Sequence, residues 1–278
     1  MVSVELSYRR PFDWHALTRF LGARGIVQVE EVDDTSYRRI VQLDSRAGWI
    51  QITPHQRRAS LHITVSGTLE DILPSVLARA GHLMDVSCNP SEVAKALGPL
   101  AAANPGLRVP GAFDGFEIAV RAVLGQQVSV AGARTLAGRF VAAFGARVES
   151  PFAQLTRAFP AADRIAVLDP AELARLGILP SRARTIIELS QLVANGELML
   201  APGADVPATM NTLRAVRGIG EWTAQYIAMR ALAWRDAFPH TDLGVMKALG
   251  EKNPRRVLEA GEAWRPWRAY AVMHLWHR

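Results

Sequence analysis

Three features within residues 205–242 combine residue types and spacings that could do chemistry. The first is Gly218-Ile219-Gly220, which joins a helical run (Pro207 to Val216) to a second helix that starts at Glu221 and fades near Trp234. Glycines let the backbone turn tightly and come close to a ligand. The first amides of the second helix have no partner inside it, and its N-terminus carries partial positive charge, so the hairpin can hold an anion. A nucleic-acid backbone phosphate is the natural guest, gripped without reading sequence. The plainer alternative is an αα-hairpin whose glycines only close the turn.

The second feature is Asp242, 22 residues after Gly220 in Phe238-Pro239-His240-Thr241-Asp242. Pro239 breaks the helical pattern and an apolar run follows, so local sequence reads Asp242 as a helix N-cap. Its position behind the hairpin is what raises a catalytic alternative. The third feature is aromatic. Five of seven tryptophans fall at or after residue 222: Trp222, Trp234, Trp264, Trp267 and Trp276. Trp222 and Tyr226 are four apart and share one helix face. Core packing is the ordinary reading of such a pair, and a ligand cage is the alternative.

The elements that must position these residues divide the chain in two. Residues 1–90 read as α+β. Val2 to Leu6 alternates with strand period, and Ile26 to Val32, Tyr37 to Leu43, Trp49 to Thr53 and Leu61 to Val65 are rich in β-branched residues. Asp13 to Leu21 and Leu69 to Ala80, the latter stopped by Gly81, have helix spacing. His55 and His62 have no neighbour of ligand type and read as structural or solvent-facing. From Pro90 onward the strand signal stops. Pro99 to Gly111 reads as a connector. Helices are expected over Gly115 to Leu124, Ser129 to Phe144, Pro151 to Thr156, Ala161 to Asp163, Pro170 to Leu176, Arg182 to Ala194 and Trp264 to Trp276.

Composition bounds the function. One cysteine, Cys88, excludes a disulfide scaffold and any protein-held iron–sulfur cluster. No leader and no apolar run of membrane-spanning length is visible, so a cytoplasmic protein is expected. Residues 1–90 carry 10 basic and 10 acidic side chains, whereas residues 91–278 carry 22 and 16, so the net +6 lies in the second part. That placement suits a polyanionic partner. An arginine-heavy surface from a GC-rich genome explains it equally well.

With these motifs in place, the chain resembles the helix-hairpin-helix DNA glycosylases, and among them the 3-methyladenine DNA glycosylase II family of alkylation repair. The resemblance rests on PFDW at Pro11–Trp14, CNP at Cys88–Pro90, PGLRVPG at Pro105–Gly111, LGQQVSV at Leu124–Val130, GIGEWTAQY at Gly218–Tyr226 and RPWRAYAVMHLW at Arg265–Trp276. The last three blocks are the specific ones. The resemblance implies an α+β fold: an N-terminal antiparallel-sheet domain (1–90) followed by two all-α lobes. One lobe is 117–234 with the hairpin. The other is assembled from 91–116 and 235–278 and carries Asp242, with the pocket in the cleft between lobes.

It further implies a glycosylase that flips alkylated bases from double-stranded DNA and hydrolyses the N-glycosidic bond. Asp242 would stabilise the oxocarbenium-like sugar or position water. Trp222, Tyr226, Trp276 and Gln126 would line the base pocket, where electron-rich rings attract a cationic alkylated purine. Gln127 takes the position of the wedge, where relatives place leucine. Gly218, Gly220, Thr223 and Arg217 would contact phosphate, Arg217 standing where the family usually has proline. A monovalent cation at main-chain carbonyls near Arg214, Val216 and Ile219 is implied, but no catalytic cofactor. Some relatives place a lysine nucleophile two residues after the second glycine. Trp222 stands there, and Lys247 is the nearest alternative, so no AP lyase chemistry is expected. A monomer, nucleoid-associated and with no membrane contact, completes the expectation. The rivals are an oxidised-purine glycosylase of the same fold and a non-catalytic helix-hairpin-helix protein in which Asp242 is only a cap.

Overall fold

The computed structural model describes residues 1–277. Its strands form one antiparallel sheet: β1 (Val2–Ser7), β2 (Glu30–Val32), β3 (Tyr37–Leu43), β4 (Arg46–Pro54) and β5 (Ser60–Val65), in the order β1-β5-β4-β3-β2. Alternation explains the faces. Tyr37, Ile50, Ile52, Ile63 and Val65 are fully buried, and the register pairs Ile50 with Val65 and Ile52 with Ile63. The expected strand at Ile26 to Val32 is shorter than its apolar content suggested. Ile26 to Val29 instead forms a tight turn, in which Val29 and Glu30 donate to the Ile26 carbonyl and Gln28 has a positive φ of 74°.

The helix Trp14–Arg24 lies beside the sheet, begun by Asp13, whose carboxylate accepts the Ala16 amide at 2.9 Å. From Pro90 the chain is helical apart from one isolated bridge, Arg147 to Arg157. The helix expected at Pro151 to Thr156 does not form. Its apolar residues instead serve the outer face of the sheet, where Leu155, Ala158 and Phe152 pack on Ile40 and Trp49. The connector Pro99 to Gly111 is partly helical: Pro90–Leu97 is followed by Pro99–Ala102, each with proline in its first turn. The last helix is Arg268–Trp276, preceded by a 3₁₀ turn at Glu262–Trp264. A further helix, Pro254–Gly261, was not anticipated.

Arg108 explains why three separated sequence blocks occur together. Its fully buried guanidinium donates to the carbonyls of Arg9 (2.5 Å), Pro11 (2.8 Å), Asp85 (3.1 Å) and Cys88 (3.4 Å). The PFDW, CNP and PGLRVPG blocks therefore converge on one structural cation and not on a chemical site. The larger hydrophobic core runs from the sheet through the helices around the glycine hairpin to Leu275, apart from the small cluster at Ile40.

Candidate active site

The hairpin joins the helices Val206–Ala215 and Glu221–Ala231. Gly218 has φ of 96°, and a Cβ there would lie 2.4 Å from the Thr185 hydroxyl. That hydroxyl donates to the Arg217 carbonyl at 2.7 Å, so the helix Pro180–Ala194 backs the turn. Gly220 is different. Its φ is an ordinary −90°, and a Cβ would meet nothing within 4 Å. The fold does not require glycine there, and close approach of an outside group is the physical reason that remains. Gly220 is the N-cap of the second helix and offers no side-chain oxygen, so no cap occupies the first amides. Glu221, in the first turn, would repel an anion. Arg214 grips it through two bonds of 2.8 and 3.0 Å, which lower its pKa. Arg217 is exposed beside Gly218.

The loop between Gly115–Leu124 and Val130–Phe144 packs against the same hairpin. The Gln126 amide donates to the Gly218 carbonyl (2.9 Å) and to the Thr223 hydroxyl (3.0 Å), and Arg182 donates to the Gln126 carbonyl. Gln126 is thus a strut between loop and hairpin; it is not among the residues lining the cavity described next. Thr223 is buried with its hydroxyl committed to Gln126. Gln127, exposed at the tip of this loop, adopts φ of 53°, a left-handed conformation unusual for a residue with a side chain.

Asp242 occupies the wall of a cavity of about 410 Å³ shared with Trp222, Tyr226 and Trp276. It caps the helix Leu243–Leu249: Oδ1 accepts the Val245 amide at 2.9 Å. The same oxygen accepts the Trp276 indole N–H at 2.9 Å, and Oδ2 accepts that of Trp222 at 2.8 Å. The helix cap and the cavity carboxylate are one group. Three donors fix its orientation and leave a lone pair of Oδ2 free. The Trp222 and Tyr226 rings stack at 5.3 Å and 12°, and Tyr226 lies 6.4 Å from Trp276. Gly244 makes room for this arrangement, because a Cβ there would press on Asp242 and on the Trp276 indole at 3.0 Å.

Several residues at this cavity escape sequence reasoning. Phe20, on the helix Trp14–Arg24, stacks on Trp276 at 6.1 Å and 14°, and Arg24 lies 3.8 Å over the Phe20 ring and lines the cavity. Nothing in a plain amphipathic helix announces this. Arg121 and Arg134 also line the wall. Behind it, buried Arg230 donates to the Tyr226 hydroxyl at 2.8 Å. Burial pushes the Tyr226 phenol up, but Arg230, Arg24 and Arg121 outweigh it, and the pKa is lowered. Gly244 alone carried a local signal, a glycine two places after an N-cap candidate. Lys247 is exposed and outside the cavity. Among the described residues no group of three or more His, Cys, Asp or Glu could hold a metal. Among the described residues no helix is long and apolar enough to cross a membrane.

Comparison with known proteins gives the family and the fold. Residues 3–114 match the AlkA N-terminal domain, and residues 120–253 match the HhH-GPD superfamily base excision DNA repair protein model. The chain is 38% identical over 272 residues to DNA-3-methyladenine glycosylase 2 of Escherichia coli K12, covering 98% of this chain and 96% of that protein. It is 39% identical to a probable bifunctional transcriptional activator/DNA repair enzyme AlkA of Mycobacterium tuberculosis, spanning 99% of this chain but 56% of that protein. The fold matches a 3-methyladenine DNA glycosylase from Archaeoglobus fulgidus with a TM-score of 0.85 at 23% identity, covering 99% of this chain and 97% of that one.

Proposed function

The chain belongs to the HhH-GPD superfamily of base excision DNA repair proteins, with an AlkA-type N-terminal domain, and from that premise we infer that it is a glycosylase of alkylated bases in duplex DNA. The observation that carries the reading is Asp242, held in an aromatic-walled cavity by the indoles of two of the rings that form it. A flipped purine enters against Trp222, Tyr226 and Trp276, whose faces favour its positive charge. As the C1′–N bond breaks, its electron pair leaves with the base. The sugar becomes oxocarbenium-like, and the fixed Asp242 carboxylate stabilises it without reorganising. Water then completes hydrolysis to an abasic site.

Trp222 stands where a lysine nucleophile would have to be, so the strand is left uncut. The hairpin of Arg217, Gly218 and Gly220 holds backbone phosphate, with Thr223 and Gln126 bracing it from behind. Gln127, strained at the loop tip, fills the gap left by the flipped base. A monovalent cation would sit at the carbonyls of Arg214, Val216 and Ile219; in support, Arg214 lies in the last turn of a helix that ends at Ala215, where carbonyls lack partners inside the helix, while the Val216 carbonyl also accepts the Ile219 amide at 3.1 Å. The protein acts as a monomer. The lobes are 117–234 and 91–116 with 235–278; in support, Pro99–Ala102 packs on Arg268–Trp276.

Asp242→Asn tests the reading. Asparagine keeps an oxygen for the Val245 amide, so the helix cap survives while the negative charge is lost. Release of bases from a panel of alkylated duplexes should fall by roughly 10²- to 10³-fold, with DNA binding retained. Unchanged release with unchanged binding would reduce Asp242 to a cap and the protein to a DNA-binding module.

A further inference from the structure

The cavity wall is more positive than a site for cationic bases should tolerate. Arg24, Arg121 and Arg134 line it, Arg230 lies behind Tyr226, and Asp242 is the one carboxylate lining it. Among the described residues Arg24 and Arg230 have carbonyl, hydroxyl and ring partners but no ion pair. Arg121 is treated differently. Its guanidinium donates to Glu30 at 2.9 Å, to Glu117 at 2.8 Å and to the Arg24 carbonyl at 2.6 Å. Glu117 also pairs with Arg39 at 2.6 Å, and Glu30 accepts the Tyr37 hydroxyl at 2.7 Å and the Ile26 amide at 3.0 Å. Both carboxylates are 2% exposed, Arg39 4% and Arg121 15%.

Two arginines and two carboxylates, taken from β2, from β3 and from the helix Gly115–Leu124, thus form a closed and charge-balanced cluster. Only the Arg121 edge of it reaches the cavity. Hydrophobic packing would have held the sheet to that helix without burying four charges, and buried ion pairs are poor stabilisers. The cluster therefore invites a reading beyond stability.

We propose that Glu30 and Glu117, which do not touch the cavity, neutralise Arg121 in its wall and so determine how well the site accepts a positively charged base. The inference rests on the glycosylase reading above. A purine nucleoside alkylated at N3 or N7 is cationic until its glycosidic bond breaks, and the base then leaves neutral. Positive charge in the wall therefore opposes the bound substrate more than the departing base. Glu30 and Glu117 thus remove the Arg121 guanidinium from the charges that oppose the cation, and leave Arg24 as the unpaired one. In this scheme the N-terminal domain supplies part of the site's electrostatics.

The test is single-turnover release of 7-methylguanine, a stable cationic lesion, alongside equilibrium binding to the same duplex carrying an abasic-site analogue, which has no base to repel. Glu30→Gln should raise the half-saturation constant for 7-methylguanine release by about tenfold. Affinity for the abasic duplex should stay within about twofold of wild type, because phosphate contacts are untouched. A half-saturation constant that does not move, or an abasic affinity that falls in parallel, overturns the proposal. Arg24→Met, at a half-buried position, decides the question if Glu30→Gln does not fold. Removing that unpaired cation should lower the half-saturation constant by about threefold. No fall means that wall charge does not govern acceptance. Wild-type protein that releases no 7-methylguanine overturns the glycosylase reading itself.

Discussion

The hairpin and two of the cavity's rings meet at one helix, Glu221–Ala231, yet the two regions are built in opposite ways. The hairpin works through main chain contributed by consecutive residues, and its one demanding position, Gly218, is demanding because of backbone and Thr185. The cavity is built from side chains of segments far apart: Phe20 and Arg24, Arg121, Trp222 and Tyr226, Asp242, and Trp276. A main-chain site needs only the right turn, so it tolerates varied side chains and reads no sequence. A side-chain site depends on every element that carries a wall. The difference predicts that substitutions at the hairpin will change DNA affinity or folding, and those at the cavity will change turnover.

The largest separation is expected at the indoles. Trp222→Phe or Trp276→Phe keeps a ring in the wall and removes one donor to Asp242. A hydrogen bond to a charged acceptor contributes about 1.5–3 kcal/mol, so the rate of base release should fall by roughly tenfold to a hundredfold. Affinity for undamaged duplex should not change. A variant that loses affinity and keeps its maximal rate would show that these rings hold DNA and do not orient the carboxylate.

The two glycines should then part company. Gly218→Ala forces a positive φ on alanine and drives its Cβ toward the Thr185 hydroxyl. Chemical denaturation should show a loss of about 2 kcal/mol. Gly220→Ala has open space and ordinary backbone, so stability should fall by no more than about 0.5–1 kcal/mol, the difference between alanine and glycine at an N-cap. Its effect should appear instead in DNA affinity, roughly fivefold weaker, as a methyl intrudes where phosphate would meet the amides. Equal stability losses at both positions would return the hairpin to a mere turn.

The same contrast explains what the sequence made legible. The hairpin could be read because its physics is local: two glycines, a helix before and a helix after. Asp242 could be read only ambiguously, since its local sequence spells a helix cap. In the structure one carboxylate caps Val245 and accepts two cavity indoles, so the cap reading and the cavity reading describe the same group. Trp222 and Tyr226 could be placed on one face but not on a cavity, because i, i+4 spacing does not say what the face meets. Phe20, Arg24 and the Glu30–Arg121 pair, 91 residues apart, are set by tertiary packing that no spacing encodes. The missing helix at Pro151 to Thr156 has the same cause: Phe152 and Leu155 answer to Trp49 and Ile40 across the sheet, not to a helical period of their own. Helix Pro254–Gly261 was legible in principle from Asn253, which accepts the Arg255 amide, and from Pro254 in the first turn.

Gln126 joins the two regions and gives the finest test of their independence. Its amide ties the cavity-side loop to the Gly218 carbonyl and to Thr223, whose hydroxyl is buried. Gln126→Ala removes two bonds between neutral groups, one of them in solvent, so a loss of about 1 kcal/mol in stability or affinity is the expected scale. If the strut serves the hairpin, its effect on DNA affinity should be non-additive with that of Gly220→Ala by at least about 0.5 kcal/mol. Its effect on the rate of base release should add to that of Trp222→Phe within about 0.3–0.5 kcal/mol. The reverse pattern, coupling in rate and additivity in affinity, would mean that the hairpin positions the carboxylate through Gln126. The division between main-chain grip and side-chain chemistry would then fail where the two regions touch.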